Sequence, residues 1–276
     1  MKSFSLKETQ KALPKRKESA HKNMGGKTLI IAGSPQMPGA AILSATAASR
    51  VGAGYVYLLK TSQYFISKNF PDFLICEKDS LKKNLALFQS VAIGPGLGKS
   101  LTAQNLLKKL LRSQKPNVVL DADGLNILAQ LKNVQIPISW IMTPHEGELA
   151  HLLKKTAFEI HENRLKYVLL AQKKFGCHIL LKGKQTLIAN DDGIVQIQTG
   201  NKALAKAGTG DVLTGMIAGF LAQGLSPLKA ACLSATLHGK IADEWIENLD
   251  YLGLMASDLL TEIPRIIKKL RGSQKT

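Results

Sequence analysis

The chain has 276 residues, of which 45% are hydrophobic, and it carries a formal net charge of +17. This length provides a well-buried core, and we expect a single domain over residues 1–276. The sequence contains no apolar run long enough for a membrane span and no apolar centre of a secretory signal. Its three cysteines are scattered without metal-ligand spacing, which is typical of reduced thiols in a cytoplasmic protein.

The positive charge is concentrated at the two ends of the chain. Residues 1–27 hold eight lysines and arginines against two acids, and residues 264–276 hold five basic residues and no acid. Neither end interleaves these charges with the aromatic side chains on which nucleic-acid bases stack. We therefore interpret 1–22 and 265–276 as basic, partly flexible, solvated ends and expect no nucleic-acid partner.

Strand and helix patterns alternate from residue 27 onward. A buried strand over 27–33 leads to an Ala-rich helix over 40–51, with Pro38 suited to its first turn. The segment from His238 to Pro264 is predicted to form helices that close the fold. The sequence further predicts strands at 56–59, 90–93, 118–120, 140–142 and 178–181, and a hairpin over 186–198 that turns at Asp192-Gly193.

The repeated order of strand, polar loop and helix predicts an α/β fold with a mostly parallel central sheet and helices on both faces. Ligands of such sheets bind at the carboxyl ends of the strands. Each loop that carries the notable glycines, aspartates, histidines or lysines follows a predicted strand. We therefore expect these loops to converge on one edge of the sheet.

The segment 208–211, Gly-Thr-Gly-Asp, is the strongest candidate for a functional site. It runs into an amphipathic helix, whose first backbone N–H groups are unpaired and whose dipole adds partial positive charge. Such a helix end favours a phosphate group. Asp211 has two interpretations here: it is a helix cap, or it is a catalytic base whose pKa a neighbouring phosphate tends to raise.

The other loops also allow two interpretations each. The segment 94–98 is a simple turn or a loop that lets backbone approach a ligand closely. Asp121 and Asp123 cap turns or contribute charge near a hydrated Mg²⁺, and His145 is a plain loop residue or a functional one.

Three further polar residues are weighed in the same way. Glu148 complements the helix dipole or faces the water shell of a metal ion. Lys182 contacts phosphate or nucleotide, or it is solvated. His238, within an Ala-rich helical segment, is interpreted as structural.

Seven motifs of the chain resemble those of the ADP- or ATP-dependent NAD(P)H-hydrate dehydratases, which have a ribokinase-like fold. The motifs occur in the order of that family and at compatible spacing, over residues 13–262. One departure is Ala207, where many members have another glycine. The matching segments are Gly33-Ser34 with Met37-Pro38-Gly39-Ala40, 94–98, 121–126, 143–148, 181–183, Gly200-Asn201 and 207–215.

The resemblance implies repair of a damaged cofactor. The S-epimer of NADHX or NADPHX would be phosphorylated on its ring hydroxyl by an adenine nucleotide, and loss of phosphate would restore NADH or NADPH. Mg²⁺ would be the cofactor. A lone dehydratase of this length resembles the ADP-using branch more than the ATP-using one. The family commonly forms homo-oligomers, so we expect one here, with a tetramer as one arrangement.

The resemblance also implies roles for individual residues. The implied catalytic residues are Asp211, as the base, with Gly208, Thr209 and Gly210. The implied substrate-binding residues are Ala40, Ala41, Gly96, His145 and Asp211. The implied nucleotide-binding residues are Lys182, Gly183, Lys184, Gln185, Thr186 and Gly210. Glu148 would contact the metal ion through water.

An alternative function stays open at this point. A ribokinase-like kinase of a small vitamin or metabolite alcohol would use the same base and the same anion-binding helix end. It would release a stable phosphorylated product instead of free phosphate and a reduced nicotinamide. A nucleic-acid-binding role is suggested by net charge alone, and it would survive the loss of Asp211.

Overall fold

A computed structural model describes residues 2–15, 22–61, 72–78, 85–113, 117–132 and 134–272 of the chain. Ten strands within these residues form one sheet. In chain order the strands are β1 (Lys2–Ser3), β2 (Lys27–Ile31), β3 (Tyr55–Leu59), β4 (Leu74–Cys76), β5 (Ser90–Ile93), β6 (Asn117–Leu120), β7 (Ile141–Met142), β8 (His178–Leu181), β9 (Leu187–Asn190) and β10 (Gly193–Gln196).

Ten α-helices are present in the same described ranges. In chain order they are α1 (Leu6–Ala12), α2 (Pro38–Arg50), α3 (Leu101–Leu111), α4 (Asp123–Leu128), α5 (Glu146–Leu153), α6 (Ala157–Glu162), α7 (Arg164–Phe175), α8 (Thr209–Ala222), α9 (Pro227–Asn248) and α10 (Ala256–Gly272). Their starts follow local rules: Pro38 and Pro227 occupy first helical positions, and the Ser100 hydroxyl caps α3 by accepting from the N–H of Ala103. None of these helices has the length and apolar character needed to cross a bilayer.

The sheet is mostly parallel, as the sequence predicts. The strand order is β1-β10-β9-β8-β7-β6-β5-β2-β3-β4, and every neighbouring pair from β8 to β4 is parallel. Strands β9 and β10 form an antiparallel hairpin whose two-residue turn is Asp191-Asp192, since Gly193, with a φ of +125°, begins β10 and pairs with Asn190. The predicted hairpin is therefore confirmed, but its turn lies one residue earlier than Asp192-Gly193.

The sheet has a hydrophobic core on each face because its strands alternate their side chains. In β2, Leu29 and Ile31 pack into one core and Ile30 into the other. Helices α2, α8, α9 and α10 contribute to the core that contains Ile30, and α3, α4, α5 and α7 contribute to the opposite one. The predicted layers, with helices on both faces of the sheet, are confirmed.

Helices α2 and α8 approach each other so closely that their backbones touch. A Cβ atom on Gly215 would lie 2.1 Å from the carbonyl oxygen of Ser44, and one on Gly219 would lie 2.7 Å from that of Ala48. The Ser44 hydroxyl also donates to the carbonyl oxygen of Asp211 at 3.0 Å. The start of α8 is thus fixed relative to α2.

Described parts of both chain ends pack against the rest of the fold. In the segment 2–15, Thr9 and Leu13 are buried, and Gln10 donates to the carbonyl oxygen of Leu270 at 3.2 Å. Helix α10 continues through Pro264 to Gly272. Apolar side chains thus anchor 2–15 and 265–272 to the rest of the fold, and the expectation that the ends are partly flexible stays a prediction. Residues 1, 16–21 and 273–276 lie outside the described residues.

Candidate active site

Loops from several elements converge on one cleft of about 600 Å³ at the carboxyl edge of the sheet. This volume lies within the range of small-molecule sites, which is about 300–1,000 Å³. The convergence agrees with the sequence-based expectation. The residues that line the cleft are Gln36, Met37, Pro38, Gly39, Ala40, Leu43, Gly96, Ala122, Asp123, Asn126, Glu148, Ala207, Gly208 and Asp211.

The start of α8 forms an open cradle of backbone amides in this cleft. Gly208 is the N-cap, with a φ of +89° and no side-chain cap. Among the described residues, the N–H groups of Gly210 and Asp211 have no hydrogen-bond partner. A Cβ atom on Gly208 would lie 2.7 Å from Cδ1 of Leu43, so only glycine fits there. Unpaired amides at a helix start are suited to an anion.

The side chains of Thr209 and His238 make hydrogen bonds to the backbone that supports this cradle. The Thr209 hydroxyl points inward and lies 2.8 Å from the carbonyl oxygen of Leu204 and 2.9 Å from that of Lys206. Nε2 of His238 lies 3.0 Å from the carbonyl oxygen of Thr209, so it carries the proton and donates. Burial lowers the pKa of His238 to about 4, and the ring is neutral. The structural interpretation of His238 agrees with this position.

A buried network of charges lies behind the cradle. Nζ of Lys182 lies 2.8 Å from Oδ1 of Asp121 and 3.7 Å from Oε2 of Glu148. The Thr214 hydroxyl donates to Oδ2 of Asp121 at 2.6 Å. Burial lowers the pKa of Lys182, but the nearby carboxylates outweigh burial and leave that pKa raised. The ammonium therefore stays charged, and Asp121 serves this network instead of capping a turn.

Asp211 lines the cleft, and the pKa of its carboxyl group is raised far above the ordinary value. Burial is the main cause that raises its pKa to about 7, and the charges of Asp121 and Glu148 add to the shift, while Lys182 opposes it. The cap position belongs to Gly208, and the Asp211 carboxylate has no hydrogen bond to a described residue. A carboxylate that titrates near pH 7 and faces a cleft is suited to general-base catalysis.

His145 and Glu148 form a reciprocal cap at the start of α5. The N–H of Glu148 donates to Nδ1 of His145 at 3.2 Å, and the N–H of His145 donates to Oε2 of Glu148 at 2.9 Å. Nδ1 therefore carries no proton, and the neutral ring is protonated on Nε2. Burial raises the pKa of Glu148, and Lys182 opposes the shift. Glu148 lines the cleft, whereas the exposed His145 ring is not among the residues that line it.

The segment 94–98 is braced against the loop that follows β6. A Cβ atom on Gly94 would lie 1.8 Å from the carbonyl oxygen of Asp121, so the two backbones are in contact. The N–H of Gly98 donates to Oδ2 of Asp123 at 2.8 Å. Between the two aspartates, Ala122 has a φ of +46°. Asp123 thus helps to shape the loop while it also lines the cleft.

The predicted nucleotide segment 182–186 lies beside the cradle. A Cβ atom on Gly210 would lie 3.5 Å from Nζ of Lys182, which brings the segment and the helix start together. Gly183 has a φ of +129°, and Lys184 and Gln185 are exposed. The Thr186 hydroxyl donates to the carbonyl oxygen of Gly183 at 3.2 Å and closes the turn.

The structure separates the two alanines predicted to bind substrate. Ala40 lines the cleft, whereas Ala41 is completely buried in the core of α2. On a helix, neighbouring residues point in different directions, so only one of the two can face a ligand. Gly96 also lines the cleft, and a Cβ atom on it would lie 2.8 Å from Cβ of Ala40.

Some residues of the site carry no sequence signal that could have revealed them. Thr214 lies on an apolar helix, and Ser44 lies on an Ala-rich one. Arg164 belongs to a polar helix remote in sequence from every motif, yet its guanidinium contacts the backbone of 181–184. These roles depend on contacts between distant segments, which a single sequence does not show.

The parallel sheet and the amide cradle at its carboxyl edge define a ribokinase-like α/β fold. A protein-family model described as NAD(P)H-hydrate dehydratase matches residues 28–265. The protein therefore belongs to the NAD(P)H-hydrate dehydratase family.

Individual relatives agree with this family. The chain is 39% identical, over 96% of its length, to the bifunctional NAD(P)H-hydrate repair enzyme Nnr of Moorella thermoacetica, of which it covers 53%. It thus spans about half the length of the bifunctional relatives that it matches. It is 37% identical to the ADP-dependent (S)-NAD(P)H-hydrate dehydratase of Neisseria meningitidis, with 93% of this chain and 88% of that protein covered.

A solved structure supports the same relationship. It is that of the ADP/ATP-dependent NAD(P)H-hydrate dehydratase from Bacillus subtilis, co-crystallised with ATP and Mg²⁺. The two folds superpose with a TM-score of 0.88 at 32% sequence identity, and 98% of each chain is covered.

Proposed function

We propose that this protein is an adenine-nucleotide-dependent dehydratase, a carbon–oxygen lyase. It would return the S-epimer of NADHX or NADPHX to NADH or NADPH. The observation that carries the proposal is Asp211, a base with a pKa of about 7 that lies beside a cradle of unpaired amides in one cleft. Membership of the family supplies the substrate class.

The geometry supports phosphorylation of the substrate hydroxyl as the first step. Asp211 takes the hydroxyl proton while the oxygen forms a bond to the terminal phosphorus of the nucleotide. The bond from that phosphorus to the bridging oxygen breaks, and its electron pair leaves with the shortened nucleotide. The amides of Gly210 and Asp211 donate to the charged phosphoryl oxygens, where losing one such donor costs about 3 kcal/mol.

Elimination is the second step. The lone pair of the ring nitrogen forms a double bond to the adjacent carbon, and the C–O bond breaks with its electrons leaving on phosphate. Loss of a proton from the neighbouring carbon then restores the dihydronicotinamide ring. Phosphate is a far better leaving group than hydroxide, which explains why nucleotide cleavage would be coupled to dehydration.

The donor set of the cleft fits a Mg²⁺ ion that is held mostly by the nucleotide. No cluster of three or more His, Cys, Asp or Glu side chains in the described residues is arranged to hold a metal ion directly. Mg²⁺ usually keeps several waters and binds through one or two carboxylates plus phosphates. Glu148 lines the cleft and would accept from a water of the ion. The ion would neutralise phosphate charge.

The segment 182–186 would bind the nucleotide, because it lies next to the cradle at Gly210. We favour ADP over ATP as the co-substrate, in line with the name of the Neisseria relative. The Bacillus structure was obtained with ATP and Mg²⁺, so both nucleotides belong in the assay. We also propose a homo-oligomer, with a tetramer as one arrangement, that works in the cytoplasm; three buried free cysteines support the location.

The test is a direct assay of repair. Purified protein is mixed with S-NADHX or S-NADPHX, Mg²⁺ and ADP or ATP, and the absorbance of the reduced nicotinamide is followed. We expect recovery of absorbance together with free phosphate, and loss of both in Asp211→Asn. No recovery with either nucleotide, while a vitamin alcohol is phosphorylated, would overturn the dehydratase and favour the kinase.

A further inference from the structure

One guanidinium holds the backbone of the predicted nucleotide segment. Arg164, the first residue of α7, donates through Nη2 to the carbonyl oxygens of Leu181 at 3.4 Å and Lys182 at 3.1 Å. Its Nη1 donates to the carbonyl oxygen of Lys184. The Arg164 side chain is only 16% exposed. A single side chain thus satisfies three carbonyl groups that surround the turn at Gly183.

The turn is shaped to accept this guanidinium. Gly183 has a φ of +129°, and a Cβ atom on it would lie 3.0 Å from Nη2 of Arg164. The backbone of the turn is therefore in contact with the planar guanidinium. A lysine could not make the same three hydrogen bonds, because its ammonium is a single compact charge and lacks the two separate NH₂ groups of a planar guanidinium.

Glu146 forms an ion pair with the guanidinium from the other side, through a contact that lacks hydrogen-bond geometry. Its Oε1 lies 3.0 Å from Nε of Arg164, and its Oε2 lies 3.0 Å from Nδ1 of His161. Glu146 is the first residue of α5 and directly follows His145, the N-cap of that helix. A backbone hydrogen bond of 2.8 Å, from the N–H of Lys182 to the carbonyl oxygen of Pro144, joins the same two segments of the chain.

We propose that Arg164 is a positioning residue that fixes the backbone of 182–184 for nucleotide binding, and that Glu146 holds Arg164 in place. The inference rests on the proposed function of the 182–186 segment. Arg164 does not touch the cleft itself. It acts through the turn, and through Glu146 it joins the nucleotide side of the site to the helix that carries His145 and Glu148.

The test compares this ion pair with an exposed pair of the same chemistry. Arg164→Lys and Glu146→Gln are made in the full chain, and Arg265→Lys and Glu262→Gln serve as matched controls, because Arg265 and Glu262 form an exposed pair at 2.8 Å on α10. Kd values for ADP and for ATP with Mg²⁺ are measured by calorimetry. KM for each substrate, kcat and Tm are measured on the same preparations.

We expect Arg164→Lys to raise the nucleotide Kd and KM about tenfold, since charge-assisted bonds to the segment are lost. The KM for the hydrate and kcat should change less than about twofold, because the hydrate side and the base are untouched. Glu146→Gln should raise the nucleotide KM by a smaller factor. The two control variants should match the wild-type protein.

Other outcomes would overturn the inference. An unchanged nucleotide Kd in Arg164→Lys would show that the guanidinium does not position the segment. Equal losses for both substrates, together with a lower Tm, would show a general structural role. A wild-type protein that binds nucleotide but performs no dehydration would refute only the proposed reaction, whereas one that binds neither ADP nor ATP would refute both proposals.

Discussion

The ammonium of Lys182 and the carboxylate of Asp121 form an ion pair of 2.8 Å behind the amide cradle. Asp121 is almost completely buried, and the Lys182 side chain is 19% exposed. Pairing compensates part of the large cost of removing two charges from water. Lys182 thus contributes to the electrostatics behind Asp211 as well as to the segment that we assign to the nucleotide.

Asp121→Asn should destabilise the protein and shift its pH dependence. Lys182 would lose its closest partner, and breaking a buried pair typically costs about 3–5 kcal/mol. Removing the charge of Asp121 also removes one cause that raises the pKa of Asp211. Urea unfolding should show the loss, and the acid limb of kcat/KM should move to lower pH. Asp192→Asn, on the exposed hairpin turn, is the control. A shift of the acid limb to higher pH would contradict the proposed effect of the Asp121 charge on the pKa of Asp211.

Asp211→Asn should lower turnover by about 10²–10⁴ while it stabilises the protein above neutral pH. The folded pKa of about 7 lies above the ordinary value of 3.8. The folded state therefore binds the extra proton between these values, and stability falls as pH rises through that window. The variant lacks this loss and should be more stable at pH 8 by about 1–3 kcal/mol.

Unfolding by urea at pH 5 and pH 8 measures this difference, and the repair assay measures turnover. The gain of Asp211→Asn over the wild-type protein should be larger at pH 8 than at pH 5. A variant that is less stable than the wild type at pH 8 would contradict the raised pKa of Asp211. A variant that keeps its activity would remove Asp211 from the role of base.

His238→Gln should remove a loss of stability at acidic pH. The pKa of His238 is lowered from 6.5 to about 4 by burial, so below pH 6.5 the unfolded chain binds a proton that the folded protein does not. The wild-type protein should lose about 3 kcal/mol between pH 6.5 and pH 4 from this group. Unfolding free energies across that window test it, with the exposed His151→Gln as control. If the unfolding free energy of His238→Gln falls with pH as steeply as that of the wild-type protein, the lowered pKa of His238 is refuted.

Gly208→Ala should destabilise the start of α8 and weaken binding of the nucleotide phosphate. The φ of +89° is unfavourable for alanine, and the new Cβ would lie 2.7 Å from Leu43 Cδ1 and 2.9 Å from Ala256 Cβ. Together these effects should cost about 2–4 kcal/mol. Thermal unfolding measures the change, and Gly272→Ala, which has no atom within 4 Å of its Cβ, is the control. Equal Tm shifts in the two variants would contradict the prediction.

Much of the fold could be predicted from hydrophobic patterns, because these determine where a segment is buried. The strands at 90–93 and 178–181 agree residue for residue, and the Ala-rich helix extends from Pro38 to Arg50. The packing of the two ends could not be predicted in this way, because their charges are obvious while their few apolar anchors, such as Leu13, are isolated in the sequence.

The site was predictable where residues are close in sequence. The amide cradle at 208–211 was predicted from neighbouring residues, whereas the cap that His145 and Glu148 form was not, although both residues were singled out in the sequence. The partners Thr214 and Arg164 were not predictable, since their roles require the sheet and helices to bring them to Asp121 and Gly183. That Ala40 lines the cleft while Ala41 is buried likewise depends on the orientation of α2, which the sequence does not show.

The glycines at 215 and 219 bring the backbones of α2 and α8 into direct contact, and the Ser44 hydroxyl bonds the carbonyl oxygen of Asp211 across that contact. Ala40, near the start of α2, and Asp211, near the start of α8, therefore belong to one rigid block. We therefore expect widening of the cleft to involve the opposite wall, which includes the strained turn at Ala122, more than the α2–α8 contact. Ala40 and the Asp211 carboxylate would then keep the same separation while ligands enter and leave.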